Sequence, residues 1–126
     1  MGLVYADIIL SNPVIPDLIP VNTNCNVDTG STYLCIPQHL VSQLGLKELY
    51  KKEANLAYGF SRLLPYVGPI KVEFENRVCF VGAMVMGDEC LLGAIPMEDM
   101  DLVVIPKLFQ LMVNLESPNY ARGKVK

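Results

Sequence analysis

The chain has 126 residues, enough for one domain with a core of its own, and it reads as a single domain over 1–126 with a polar C-terminal tail from about 116. Its formal net charge is -3 with pI near 5.0, and its ten Lys and Arg are scattered, which argues against nucleic acid as a partner. Hydrophobic residues make up 52% and mean hydropathy is +0.34, a surplus that points to an apolar surface buried against a partner subunit.

The elements follow in chain order. Residues 3–10 (LVYADIIL) read as a first strand rather than a signal peptide, since no basic stretch precedes them. SNPVIPDLIP at 11–20 is a proline-broken connection. Val21, Thr23, Cys25 and Val27 then alternate with Asn22, Asn24 and Asn26, the period of a strand with one face inward, ending at Asp28. STYLCI supplies strand formers, Pro37 can open a short helix over 37–46, and Gly45 stands near its stop.

Strands are expected again from Glu53: EANLA, then YGFS, then RLLPYVGPIKVEF, with Tyr58-Gly59 as a hairpin tip. A second hairpin turns at Glu75-Asn76-Arg77 between VEF and VCFVGAMV. MGDE makes a turn, Leu91-Leu92-Gly93 leads into a short helix within AIPMEDM, and DLVVIP and FQLMVNL read as late strands. SPNYARGKVK reads as a polar, mobile tail. The most apolar run, 78–87, is ten residues long against the roughly 20 that cross a bilayer, so no membrane association is expected.

Cys25, Cys35, Cys79 and Cys90 have no CxxC spacing, and in an unexported, cytoplasmic chain they are expected to be reduced core residues. The single histidine, His39, excludes a multi-His metal site and suits a surface position on the helix. No metal and no cofactor is called for.

Asp28 carries the chemistry. It stands in VDTGSTYLCIP, between an alternating strand and an apolar one, with Leu91-Leu92-Gly93 roughly sixty residues downstream. With LVYADIIL, PYVGPIKVEFENR and LLGAIPMEDMDLVV, this resembles the retropepsin-like (clan AA) aspartic proteases, in particular the small retroviral-type enzymes of prokaryotes, over about residues 3–115. The resemblance implies a mostly β, small closed barrel with one or two short helices. It also implies an active site on the two-fold axis of a homodimer, with one aspartate from each chain and a polypeptide as substrate.

Counting residues supports the dimer separately. Acid/base hydrolysis of an amide needs one group to take a proton from water and another to polarise the carbonyl. The chain has one Asp-Thr-Gly, and Asp7, Asp17, Asp88, Asp99 and Asp101 lack its frame, so the second carboxylate has to come from another copy. By the same resemblance, Thr29 grips the partner's loop, Gly30 turns the backbone and donates its N–H to the carboxylate, and Ser31 bonds the outer carboxylate oxygen. Leu91-Leu92-Gly93 would pack under that loop, although a plain buried strand ending in a Gly turn reads the same way.

Tyr58, Gly59 and Phe60 stand where such enzymes carry the flap. Relatives favour a more polar tip, and these aromatics either cover a substrate side chain or pack two flaps together. Residues 3–10 and 109–115 are the interface candidates. The alternative is a catalytically inactive dimeric module of the same fold that binds a peptide or protein without cutting it.

Overall fold

A computed structural model describes residues 3–56 and 59–125. The first strand, β1 (Val4–Ser11), buries Val4, Ala6, Ile8 and Leu10 and turns Tyr5, Asp7 and Ile9 outward, as its alternation dictates. It pairs antiparallel with β2 (Val21–Val27) from Val4 opposite Val27 to Leu10 opposite Val21. The proline-broken link between them is tied to the domain by the buried Asn12, whose side-chain amide donates to the Leu44 carbonyl at 2.9 Å.

β3 (Leu34–Ile36) is buried throughout, and α1 (Gln38–Gln43) follows Pro37, packs Leu40 and Val41 inward and ends ahead of Gly45. His39 is on its exposed side. β4 (Lys47–Asn55) and β5 (Ser61–Phe74) form a long hairpin. β4 starts six residues before the Glu53 expected from sequence, because as an edge strand it is exposed over most of its length and KELYKK shows no apolar alternation. β5 returns through the turn at Glu75 and Asn76 into β6 (Arg77–Val85).

β7 (Cys90–Leu92), α2 (Ala94–Asp99), β8 (Leu102–Ile105), a 3-10 turn (Pro106–Leu108) and β9 (Gln110–Val113) complete the chain. The strand order β1-β2-β7-β3-β6-β5-β4 closes on itself through β1–β5 pairing, giving a six-strand barrel with β4 outside it on β5. β8 and β9 form a separate two-stranded sheet. The mostly β closed barrel with two short helices is thus the architecture expected. Ile8, Leu10, Ile36, Leu44, Ile70 and Leu92 are among the largest fully buried side chains of the barrel core.

The cysteines correct the sequence reading in part. β2 and β7 run parallel with Cys25 directly opposite Cys90, and the two are joined in a disulfide across 65 residues of chain. Register alone brings them together, and nothing in their spacing announces it. Cys35 and Cys79 are free and buried, as expected, and burial pushes the Cys79 thiol up to about 12, with the nearby Asp99 adding to it.

The C-terminal segment also departs from a mobile tail. Ser117 is buried, its hydroxyl donates to Asp101, and its carbonyl accepts from the buried guanidinium of Arg77. Asn76 donates to the Pro118 carbonyl at 3.0 Å, and the Arg122 N–H donates to Asp101 at 3.0 Å. Residues 114–122 are therefore a strap over the β5–β6 turn. No helix among the described residues is long and apolar enough to cross a membrane.

Candidate active site

Two parallel strands deliver the site. Because Val27 lies opposite Leu92 in a parallel pair, the next residues, Asp28 and Gly93, emerge side by side at the same end of the barrel. The Asp28 N–H donates to the Leu92 carbonyl at 3.0 Å, continuing the ladder by one bond. The chain then turns: the Ser31 N–H donates to the Asp28 carbonyl at 3.1 Å, and the Gly30 N–H donates to Asp28 Oδ1 at 2.9 Å. The carboxylate is thereby aimed by its own loop while remaining exposed.

Gly93 supports the loop from below. A Cβ there would fall 2.3 Å from the Tyr33 carbonyl oxygen and 2.7 Å from that of Ser31, so only a residue without a side chain admits the backbone of 31–33. The start of α2 completes the support, with the Ala94 N–H on the Ser31 carbonyl at 2.7 Å and the Ile95 N–H on that of Thr32 at 2.9 Å. Leu92 is fully buried and Leu91 half-buried beside the groove. Gly93 and the start of α2 lie against residues 31–33 while Leu92 sits in the barrel core, an arrangement that both sequence readings of Leu91-Leu92-Gly93 fit.

A groove of about 550 Å³ opens over Asp28, bounded by Ser31, Tyr33, Cys35, Leu56, Met84 and Met86 among others. Its floor rests on a small apolar cluster of Cys35, Leu64 and Met84 apart from the barrel core. The Cys35 thiol is raised above its ordinary value, first by burial, with the Ser31 hydroxyl drawing it back and the charge of Asp28 adding to the rise. On the opposite side of the loop, Asp28 and Thr29 border a second, mainly apolar hollow formed with Leu3, Val4, Val104 and Pro106.

The β4–β5 hairpin stands over the groove, since Ala54, Asn55 and Leu56 contribute to its wall. Leu56 donates its N–H to the Phe60 carbonyl at 2.6 Å, and Gly59 has φ +77° with nothing within 4 Å of a built Cβ. Phe60 is exposed; Tyr58 lies outside the described residues. Sequence reading did not single out Tyr33, Met84 or Met86, which carry no local motif and meet only through the β3–β6 pairing and the loop. Among the described residues, no group of three or more His, Cys, Asp or Glu could hold a metal ion.

Comparison with solved structures gives the class of fold. The retroviral protease-like domain of Ddi1 from Leishmania major superposes with a TM-score of 0.63 at 11% identity, over 91% of this chain and 90% of that one. The EIAV protease in complex with an inhibitor gives 0.56 at 12% identity, over 82% and 93%. A retropepsin-like aspartic protease from Rickettsia conorii gives 0.51 at 18% identity, over 77% and 71%. The chain has the retropepsin-like fold. No protein-family profile and no curated sequence matches it.

Proposed function

We propose that the protein is an aspartic endopeptidase active as a homodimer, hydrolysing peptide bonds with water activated between two copies of Asp28. The observation that carries this reading is the seating of Asp28: one exposed carboxylate, oriented by the Gly30 N–H and held by backbone bonds to β7 and α2, at the mouth of a groove in a retropepsin-like fold. Two such carboxylates about 3 Å apart share one proton, because both cannot ionise together in that space. The ionised one takes a proton from water, and the protonated one polarises the scissile carbonyl. The tetrahedral diol collapses with protonation of the leaving nitrogen, and no acyl-enzyme forms.

The second copy fits the apolar hollow that flanks Thr29. Leu3 is 65% exposed there, and Leu108 and Phe109, at 59% and 55%, crown the adjoining β8–β9 hairpin. Among the described residues β9 is hydrogen-bonded to β8 alone, whereas β1 is bonded to β2 along Val4 to Leu10 and to β5 from Ile9 to Ser11, so 109–115 keeps an open strand edge, and Leu3 of the other candidate, 3–10, lines the same hollow. In this proposal Thr29 grips the partner's loop, Ser31 supports the carboxylate, and Gly59 and Phe60, with Tyr58, form the flap over an extended polypeptide. Cytoplasmic residence belongs to the same proposal, and the Cys25–Cys90 disulfide weighs against it, because a reducing thiol pool opposes such a bridge.

The exposed aromatic Phe60 beside a single Gly favours the alternative of an inactive dimeric binding module. One comparison separates the two. Purified protein should cleave an unstructured polypeptide between acidic and near-neutral pH, and Asp28→Asn should abolish cleavage while sedimenting as the same dimer. Cleavage that survives the substitution, or a dimeric wild type that cuts nothing, would sink the catalytic reading.

A further inference from the structure

Lys52 stands on β4, the one strand of the large sheet outside the barrel, and its ammonium points into a group of tyrosines. It donates to the Tyr33 hydroxyl at 3.0 Å and lies 4.6, 5.0 and 5.5 Å from the ring centroids of Tyr33, Tyr66 and Tyr50. The two ion pairs found among the described residues, Lys51–Glu48 and Lys71–Glu73, do not involve it. Ring faces and a phenol oxygen thus take the place of a carboxylate partner. They hold the charged form, raising Lys52 above its ordinary value chiefly through the Tyr33 hydroxyl and next through that of Tyr50.

The rings belong to different parts of the fold. Tyr33 closes the Asp28 loop and borders the groove. Tyr66, on β5, lies against β6 at Gly82, where a Cβ would fall 2.4 Å from its ring, and it meets Tyr33 edge-on at 6.1 Å. Tyr50, on β4 itself, packs on Tyr66 at 5.2 Å. Among the described residues β4 is hydrogen-bonded to β5 alone, so its groove-side hold comes from side chains, and Lys52 is the one of these that reaches the Asp28 loop through a polar bond.

We propose that Lys52 is a positioning residue that clamps the β4–β5 arm to the Asp28 loop through Tyr33 and so holds the arm over the groove, where it binds an extended peptide. The kinetic half of this inference rests on the protease reading; the clamp itself does not. Lys52→Met keeps the apolar stem and removes the charge, Lys52→Arg keeps a cation that stacks on rings, and Tyr33→Phe removes only the hydroxyl and keeps the ring.

Two measurements on the full chain test it. Amide hydrogen exchange over 47–55 should accelerate about tenfold in Lys52→Met, about threefold in Tyr33→Phe and not at all in Lys52→Arg, while β1 and β2 keep their protection. On an unstructured polypeptide, Lys52→Met should raise KM about tenfold with kcat within about twofold, and Lys52→Arg should restore KM. Unchanged exchange over 47–55 in Lys52→Met overturns the clamp, as does exchange that accelerates equally across the whole domain. A fall in kcat at constant KM overturns the positioning role. If the wild type cuts nothing, the protease reading fails alone, and the exchange comparison still decides the clamp.

Discussion

Gly93 and Tyr33 stand so close that a Cβ on the one would lie 2.3 Å from the carbonyl oxygen of the other. The Asp28 loop thus rests on backbone rather than on a deformable side chain. Gly93→Ala is expected to lose about 1–3 kcal/mol of stability and to displace the loop, with cleavage falling at least tenfold. Gly59→Ala, by contrast, meets no atom within 4 Å and bears only the strain of φ +77°, about 1–2 kcal/mol. Urea melts and cleavage assays of the two variants check the contrast: a Gly93→Ala protein of wild-type stability and activity would remove the rigid seat.

The disulfide gives a thiol count as well as a stability difference. Denatured without reductant, the protein should titrate two thiols, Cys35 and Cys79, and after reduction four. Closing a loop of 65 residues should stabilise the oxidised form by about 4 kcal/mol in the chain-entropy estimate. Four thiols in the unreduced protein, or identical urea midpoints before and after reduction, would contradict the pairing.

Asp101 anchors the strap and sets an acid limit. The Ser117 hydroxyl, the Asn114 side-chain amide and the Arg122 N–H hold its carboxyl down to about 2 from an ordinary 3.8. Between those values the unfolded chain binds more protons than the folded one, so this contribution is complete above about pH 4 and is lost as pH falls through 2. Asp101→Asn should be less stable than wild type at neutral pH, with the gap closing toward pH 2. Urea midpoints measured across that range decide it; a gap independent of pH would exclude the titration.

Arg77 makes the strap structural. The residue is 1% exposed, with its guanidinium Nε and Nη1 unpartnered among the described residues and the Ser117 carbonyl as acceptor for Nη2. Truncation after Val113 should cost at least about 1–3 kcal/mol by leaving that buried cation without its acceptor. A truncated chain that melts with the full-length protein would show the strap to be incidental.

Part of this structure was legible because it rests on local rules. The alternation in 21–27 gave β2 to within one residue of its end, Pro37 and Gly45 bracketed α1, and the turn at Glu75-Asn76 matched. Leu91-Leu92-Gly93 stood out as a sequence motif, and its contact with the loop follows from parallel pairing. Other features had no such signal. The first half of β4 is polar because an edge strand needs no buried face, and the strap looked mobile because its bonds go to Asp101, Asn76 and Arg77, distant in sequence. Tyr33, Tyr50, Lys52 and Tyr66 share no motif and converge only once β5 has paired with both β4 and β6.

By itself the sequence determined the strand periods, the mostly β class and the single aspartate in its Thr-Gly-Ser frame, each fixed by residue type and short spacing. Tertiary structure alone decided that Cys25 faces Cys90, that Gly93 has no room for a side chain, and that the charge of Lys52 rests on tyrosine rings. The Lys52–Tyr33 bond joins residues 19 positions apart and the Cys25–Cys90 bridge residues 65 apart, so these relationships arise from register and barrel closure, which no local pattern encodes.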